Sequence, residues 1–166
     1  FFARFALLSG NFMIGLAVLA PAGMLPQLSA GLGVSIRDAG LLVTYGAVVL
    51  CLASPLLSWL TTRLGRRLLM SGTLALMALG HVASAFSDSY VAVLTLRLVL
   101  LAFAAIYTPQ AASTIALIVP EKSRAGAVSF VFLGWSLAIA AGLPLITLCA
   151  NHFGWRETYI AIGALC

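Results

Sequence analysis

The sequence predicts an all-α membrane protein whose helices mostly cross the bilayer. Of its 166 residues, 63% are hydrophobic and only 8% are charged, and the mean hydropathy is +1.14. A soluble domain keeps about a quarter of its residues charged so that its surface can face water. The charged residues are too few to coat a globule, and lipid must therefore surround much of the surface.

Five apolar runs are long enough for a membrane-spanning helix, which needs about 20 residues. A sixth run is too short, so we expect a truncated sixth helix and a longer protein whose carboxy-terminal half is absent from this chain. No linker or low-complexity stretch interrupts residues 1–166, which we expect to form one transmembrane bundle. The predicted spans cover residues 5–28, 39–60, 68–86, 90–118 and 127–149, with the incomplete sixth at 158–166.

The basic residues predict the orientation. With five complete spans, the amino terminus and the loops 62–67 and 120–126 share one side of the membrane. The opposite side holds Arg37 and Arg156, whereas the first side holds six basic residues: Arg4, Arg63, Arg66, Arg67, Lys122 and Arg124. The positive-inside rule therefore predicts a multi-pass cell-membrane protein with a cytoplasmic amino terminus. The net charge of +5 reflects this topology and not a nucleic-acid surface, which needs a wetted basic face.

Three short patterns recur in the same order, 83, 86 and 89 residues further along the chain. Each copy contains three helices, so the two copies must lie in the membrane with opposite orientations. Inverted three-helix repeats of this kind build transporters. The matching pairs are Pro26-Gln27 with Pro109-Gln110, Ala39-Gly40 with Ala125-Gly126, and Pro55 and Gly65 with Pro144 and Gly154.

Between the second and third spans, the sequence holds Arg63, Gly65, Arg66 and Arg67 in close succession. This segment resembles motif A of the major facilitator superfamily. Gly65 should permit a sharp reversal, and the basic residues should hold the loop at the headgroups. The resemblance implies a six-helix amino-terminal bundle and a conformational latch against the second half, although a simple positive-inside anchor is an alternative. Arg63, Gly65, Arg66 and Arg67 match the motif, whereas Ser58 and Thr62 replace its usual Gly and Asp, so the charged part of the latch is lost.

Arg97 is a charged residue well inside a predicted span, about 10 Å into the membrane from Tyr90 at 1.5 Å per residue. A central arginine costs about 2.5–3.5 kcal/mol on insertion scales, so it should face a polar cavity or a partner. The family resemblance matches it to the arginine of motif B, which is associated with substrate or proton coupling. The alternative is that its side chain extends outward to Asp88 or Asp38.

Further polar residues in the first and fourth spans are candidates for a substrate pathway, because these helices correspond in the two repeats. Polar stripes in membrane helices also hold helices together, and this alternative stays open. His81 is either a hydrogen-bonded packing residue or a group that titrates near neutral pH. The pathway candidates are Asn11 and Gln27 in the first span and Tyr107, Gln110 and Thr114, on one face of the fourth.

The fifth span carries Gly134, Gly142 and Pro144, a reduced form of motif C of the antiporters in this superfamily. The glycines should allow close helix packing and the proline should kink the helix. Together with Gly23-Met24-Leu25-Pro26, this resembles the bacterial drug and sugar efflux carriers. The resemblance implies alternating access, lipid and a small molecule as partners, protons as a candidate coupling ion, and no cofactor. No carboxylate lies deep in any span, so any proton carrier is in the other half or unconventional.

Other classes of protein fit less well. The sequence contains no Gly-x-Ser-x-Gly motif and no paired metal ligands, so neither an intramembrane enzyme nor a metal site is expected. Cys51, Cys149 and Cys166 lie in apolar runs and are interpreted as small buried hydrophobes. The main alternative is a small six-helix protein that works as an oligomeric carrier, a channel or a non-transporting scaffold.

Overall fold

The structure, a computed structural model, describes residues 2–61 and 64–166. These residues form helices and short turns, with no β-strand among them. A 3₁₀ turn, Glu121–Ser123, precedes α6, and a π-helical turn, Ala138–Gly142, joins α6 to α7. The α-helices are α1 (Phe2–Gly23), α2 (Leu25–Leu32), α3 (Ile36–Leu60), α4 (Arg66–Ala85), α5 (Tyr90–Ile118), α6 (Arg124–Leu137), α7 (Leu143–Phe153) and α8 (Trp155–Leu165).

Five helical segments of the described residues are long and apolar enough to cross a membrane. They are α1, α3, α4, α5 and the continuous segment Glu121–Phe153 that contains α6 and α7. Many large apolar side chains, such as Leu52, Leu79 and Leu117, are about two-thirds exposed on the outer surface of the bundle. That surface suits a lipid solvent, and the predicted all-α membrane fold is confirmed.

The first span is not the continuous helix that the apolar run 5–28 predicts. Helix α1 ends at Gly23, and α2 begins at Leu25 with Pro26 in its first turn. Because proline lacks an N–H and restricts the residue before it, it ends a helix more readily than it continues one. The carbonyl of Gly23, at the end of α1, accepts a hydrogen bond of 2.8 Å from the Thr147 hydroxyl. The break is therefore stabilised by a contact with α7.

Three extensive helix contacts join the two triplets at corresponding positions. Helix α1, the first of the first triplet, packs mainly against α6 in the second span of the other triplet. Helix α5, the first of the second triplet, packs against α3, the second span of the first, and almost as extensively against α4, a contact whose counterpart between α1 and α8 is small. The third helices, α4 and α8, pack against each other. This arrangement supports two inverted three-helix repeats.

The two turns that carry Gly65 and Gly154 differ, and one expectation about them is wrong. Gly154 has φ +100° and ψ 169°, a conformation that is almost exclusive to glycine. Gly65 instead has φ −62° and ψ 123° as the residue before α4, and a Cβ atom there would meet no described residue within 4 Å. Any residue can adopt that conformation, so the predicted sharp reversal at Gly65 does not use the freedom of glycine in this state.

Candidate functional site

Arg97 lies on α5 with its guanidinium in the interior of the bundle, where the residue is only 5% exposed. Its hydrogen-bond acceptors are backbone carbonyls on two other helices. Nε donates to the oxygen of Leu42 at 2.8 Å, Nη2 donates to that of Val18 at 2.6 Å, and Nη1 lies 3.4 Å from that of Ala17. Arg97 therefore links the second repeat to both α1 and α3 of the first.

The first repeat is shaped to receive this guanidinium. Pro21 lies inside α1 and has no N–H, so the carbonyl of Ala17, four residues earlier, has no donor within its helix. On α3, a Cβ atom on Gly46 would lie 2.5 Å from Leu101 Cδ1 and at an ordinary contact distance of 3.4 Å from Arg97 Nε, so Gly46 allows α3 to approach α5 beside this side chain. The proline on α1 thus leaves the Ala17 carbonyl available to the guanidinium.

The alternative position for Arg97, extended outward to an acid, is not the observed one. Asp88 pairs instead with Arg156 at 2.5 Å. The Asp38 carboxylate accepts from the Ser35 hydroxyl at 2.6 Å, while the Ser35 oxygen caps α3 by accepting from the Asp38 N–H at 3.0 Å. The Ser35 side chain thus caps α3, and Asp88 and Asp38 both have partners other than Arg97.

A small cavity beside Arg97 is lined by His81, Ser84 and Tyr159, among others. Its volume of about 10 Å³ leaves room for roughly one water molecule. His81 is buried, and its Nδ1 lies 2.8 Å from the carbonyl of Met77 one turn earlier. His81 is thus positioned as a hydrogen-bonded packing residue beside Arg97.

A much larger open groove, of about 450 Å³, lies near the middle of the spans. Four helices form its wall: α1 and α3 of the first repeat, and α5 and α6 of the second. The lining residues are mostly apolar: Ile14, Leu50, Cys51, Ser54, Ala104, Ala105, Thr108, Pro109, Phe132 and Trp135. Its size falls in the range of about 300–1,000 Å³ that is typical of small-molecule sites.

The polar groups in the groove wall are hydrogen-bonded within the bundle. The Trp135 indole N–H donates to the Thr108 hydroxyl at 3.2 Å, and that hydroxyl donates to Asn11 Oδ1 at 2.8 Å. The Asn11 amide in turn donates to the carbonyl of Val131 at 3.1 Å. The Ser54 hydroxyl lies 3.4 Å from the carbonyl of Ala105. A chain of hydrogen bonds therefore fixes the indole ring against the wall.

The structure does not bring the predicted pathway residues together. Asn11 is fully buried behind the groove wall, and Tyr107 is buried where α5 meets Gly10 of α1. Gln27 lies at the other end of the bundle, where its Nε2 donates to Asn151 Oδ1 at 2.5 Å. The buried Thr114 hydroxyl has no hydrogen-bond partner among the described residues. Asn11 and Tyr107 thus lie at helix contacts, as the alternative interpretation expected.

Gln110 lies instead in a second cavity, of about 390 Å³, beside the motif A segment. Ser58, Arg66 and Ser113 also line this cavity, and Arg66 Nη1 donates to the Ser113 hydroxyl at 3.1 Å. The Ser58 hydroxyl is buried without a partner among the described residues, and Arg67 is exposed. The two remaining motif positions, Thr62 and Arg63, lie outside the described residues.

The motif C residues lie where α6 and α7 contact α1. A Cβ atom on Gly134 would lie 2.5 Å from the carbonyl oxygen of Leu8 and 2.8 Å from the amide nitrogen of Phe12. Gly142 faces Leu16 in the same contact. Pro144 follows the π-helical turn, whose wider hydrogen-bonding pattern accommodates a residue without an N–H. The glycines allow the helices to approach to backbone contact.

Several groove residues were missed by sequence reasoning. Trp135, Phe132 and Ser54 each sit in an apolar run, where one aromatic or hydroxyl side chain carries no distinctive pattern. Thr108 could have been found, because it lies directly before Pro109 inside a span. A proline leaves the carbonyl four residues earlier without its helical donor, and a polar residue beside a proline is therefore a signal of a polar site.

Comparison with known proteins identifies the family that this architecture represents. The sequence profile of the Major Facilitator Superfamily matches residues 7–166. The chain belongs to the major facilitator superfamily. This superfamily is one of transporters, in agreement with the expectation that the protein is not an enzyme.

Relatives in the superfamily cover nearly all of this chain. It is 31% identical over 160 residues to the inner membrane transport protein YdhP of Escherichia coli (strain K12), and 32% identical over 164 residues to the MFS-type transporter YtbD of Bacillus subtilis. It is also 31% identical to a Mannheimia succiniciproducens protein named "Probable sugar efflux transporter". The alignments cover 96%, 98% and 92% of this chain, but 41%, 41% and 38% of the relatives. The chain thus spans about two fifths of their length.

Proposed function

We propose that the complete protein is a secondary active transporter that moves a small molecule across the bacterial inner membrane by alternating access. The groove near the middle of the spans carries this proposal. Two helices from each repeat form its wall, and transporters built from inverted repeats bind their substrates at such a repeat interface near the midplane. The inner-membrane location is supported by the name of the Escherichia coli relative.

The rest of the protein would supply the other wall of the pathway. This chain matches about two fifths of each relative, and the groove is open along one side. A second bundle of similar size that covers this opening would leave the groove as half of a central cavity. Rocking of one bundle against the other would then expose the cavity to each side of the membrane in turn.

We propose a cytoplasmic amino terminus from the distribution of basic residues. One end of the spans contains Arg4, the start of α4 and the 3₁₀ turn before α6. The basic residues at that end favour the cytoplasmic side, and they include Arg66, Lys122 and Arg124. The two basic residues at the opposite end are Arg37 and Arg156, and Arg156 is paired with Asp88.

Efflux by exchange with protons is our proposed mode of transport. The name of the Mannheimia relative supports efflux, and the motif C-like glycines support antiport. The described part of the groove wall holds no carboxylate. We therefore place the proton-carrying residue in the remainder of the protein.

The motif A segment is proposed to act as a conformational latch at the cytoplasmic end. Arg66 reaches from the start of α4 to Ser113 near the end of α5, across a partly polar cavity. The guanidinium is charged, but its hydrogen bond to a neutral hydroxyl is weaker than a bond to a carboxylate would be. Such a contact can form and break during the transport cycle.

The decisive experiment is transport by the complete protein, purified and reconstituted in proteoliposomes. A panel of aromatic drugs and free sugars is tested with and without an imposed proton gradient, with empty liposomes as the control. Net movement that depends on the gradient and is abolished by a protonophore is expected. A complete protein that binds no panel compound and moves none, or a native chain of six helices that assembles as an oligomer, would refute the proposal.

A further inference from the structure

We infer that the transported molecule is an uncharged, planar aromatic compound, and that the indole ring of Trp135 is its stacking surface in this half of the pathway. The inference rests on the proposed transport function and assigns a substrate class to the groove. It follows from three properties of the groove wall. The lining is mostly apolar, the polar groups are already hydrogen-bonded within the bundle, and one aromatic ring has a fixed orientation.

The lining favours an apolar ligand of modest size. Side chains of Ile14, Leu50 and Phe132, with the small Ala104 and Ala105, form most of the surface around Trp135. Burial of apolar surface contributes roughly 25 cal/mol per Å². An aromatic ring system placed against this wall, in a groove of about 450 Å³, would gain this contribution over the face that contacts the wall.

The groove wall is poorly suited to a sugar. Each sugar hydroxyl that leaves water without a new hydrogen bond costs about 1–3 kcal/mol. The Thr108 hydroxyl already donates to Asn11 and accepts from the Trp135 indole, and the Ser54 hydroxyl is directed at a backbone carbonyl. The donors on this wall are thus engaged within the bundle, and a polyol would lose hydrogen bonds on entry.

The wall is also poorly suited to an ion. None of its described lining residues is an acid or a base that is charged at neutral pH. The guanidinium of Arg97 is held elsewhere by the carbonyls of Leu42, Val18 and Ala17. A charge in this groove would be desolvated without a partner, at a cost of several kcal/mol.

Hydrogen bonds restrain the orientation of the Trp135 ring. Its N–H is bonded to Thr108, Thr108 is bonded to Asn11, and Asn11 is bonded to the carbonyl of Val131, one turn before Trp135 on α6. This closed chain restrains the ring before any ligand arrives, and a restrained ring loses little entropy on binding. Aromatic stacking adds about 0.5–1.5 kcal/mol beyond area burial. Thr108 and Asn11 are therefore positioning residues for Trp135.

The test is equilibrium binding to the complete protein in lipid nanodiscs. The probe is N-phenyl-1-naphthylamine, an uncharged aromatic dye that brightens in apolar sites, with signal from empty nanodiscs subtracted and arabinose as competitor. Trp135→Ala should raise the Kd at least tenfold, and Trp135→Phe should stay within about threefold of the wild type, because stacking is retained. Arabinose should not compete.

Two further variants separate positioning from folding. Thr108→Val keeps the side-chain volume but removes the hydroxyl that holds the indole. It should raise the Kd for the dye about threefold to tenfold, while the protein stays folded at the temperature of the binding assay. Leu137→Ala shortens a side chain that is 47% exposed, lies two residues from Trp135 on α6 and does not line the groove, so it should bind as the wild type does.

Three results would overturn the inference. They are an absence of dye binding, displacement of the bound dye by arabinose, and an unchanged Kd in Trp135→Ala. If that variant keeps its Kd but loses thermal stability, Trp135 packs against the rest of the protein. Transport of a sugar would refute this substrate class and keep the proposed function. Trp135-dependent dye binding without transport of any compound would refute the proposed transport function and keep Trp135 as a binding surface for aromatic compounds.

Discussion

The guanidinium of Arg97 lies 3.4 Å from the carbonyl oxygen of Ala17, a carbonyl that has lost its helical donor to Pro21. Two neighbouring carbonyls complete the set of acceptors, so a charged side chain is satisfied inside the membrane without an acid. A carbonyl accepts a hydrogen bond in any helix orientation that keeps it within reach. The bonds of Arg97 can therefore be exchanged when α1 or α3 moves.

Arg97→Ala is expected to slow transport about 20-fold while the protein still inserts normally. Each of the three hydrogen bonds is worth about 0.6 kcal/mol in a membrane protein, and 1.36 kcal/mol corresponds to a tenfold change in rate. Initial rates in proteoliposomes, normalised to reconstituted protein, measure the effect. Arg37→Ala removes an exposed arginine at the start of α3 and serves as the control. Unchanged kinetics in Arg97→Ala would remove this residue from the mechanism.

Gly134→Ala is expected to destabilise the protein by about 1–3 kcal/mol, because the new methyl group would overlap the backbone of α1 at Leu8 and Phe12. Thermal unfolding of the complete protein in detergent measures the change. Gly126→Ala, on the same helix, is the matched control, since a Cβ atom there meets nothing within 4 Å. Equal melting temperatures for the two variants would show that α1 and α6 are further apart than described.

Gly154→Ala and Gly65→Ala, at corresponding turns of the two repeats, are expected to behave differently. The first forces a side chain into the backbone conformation at φ +100° and should cost about 1–3 kcal/mol of stability. The second, at φ −62°, should leave stability unchanged. The same unfolding assay compares them. A marked loss in Gly65→Ala would indicate that this turn adopts a glycine-only conformation in another state of the transporter.

Residues 64 and 152 are expected on opposite sides of the membrane. In a variant of the complete protein without native cysteines, Leu64→Cys should react with a membrane-impermeant maleimide in inside-out vesicles, and His152→Cys should react in intact cells. Both positions are exposed. Labelling of both cysteines from the same side would contradict the inverted repeats and the proposed orientation.

The fold was predictable because the properties that define it are visible along the sequence. Apolar runs of sufficient length marked the five spans, and the recurring Pro and Gly patterns indicated the inverted repeats. The break at Met24 was harder to predict, because proline also occurs within continuous helices here, as Pro21 and Pro109 show. A helix continues or ends according to contacts such as that between Thr147 and Gly23, which only the folded chain reveals.

The site was predictable only in part, because its contacts join distant positions. Arg97 was identified by its charge, but its acceptors are carbonyls 55 to 80 positions away, and a carbonyl leaves no trace in the sequence. Asn11 was chosen for its polarity, yet its amide holds helices together. Trp135 was overlooked because an isolated tryptophan in an apolar run looks like packing until its N–H is seen bonded to Thr108.

The widened turn at Ala138–Gly142 has a consequence for the rest of the fifth span. A π-helical turn holds one residue more than an α-helical turn, and one residue corresponds to about 100° of rotation around the helix axis. The side chains of α7 are therefore rotated about the helix axis relative to a regular continuation of α6. This rotation places Ile146 against Gly23 of α1. Deleting a single residue there would restore a regular helix but point Ile146 elsewhere. The length of this stretch is thus as constrained as its composition.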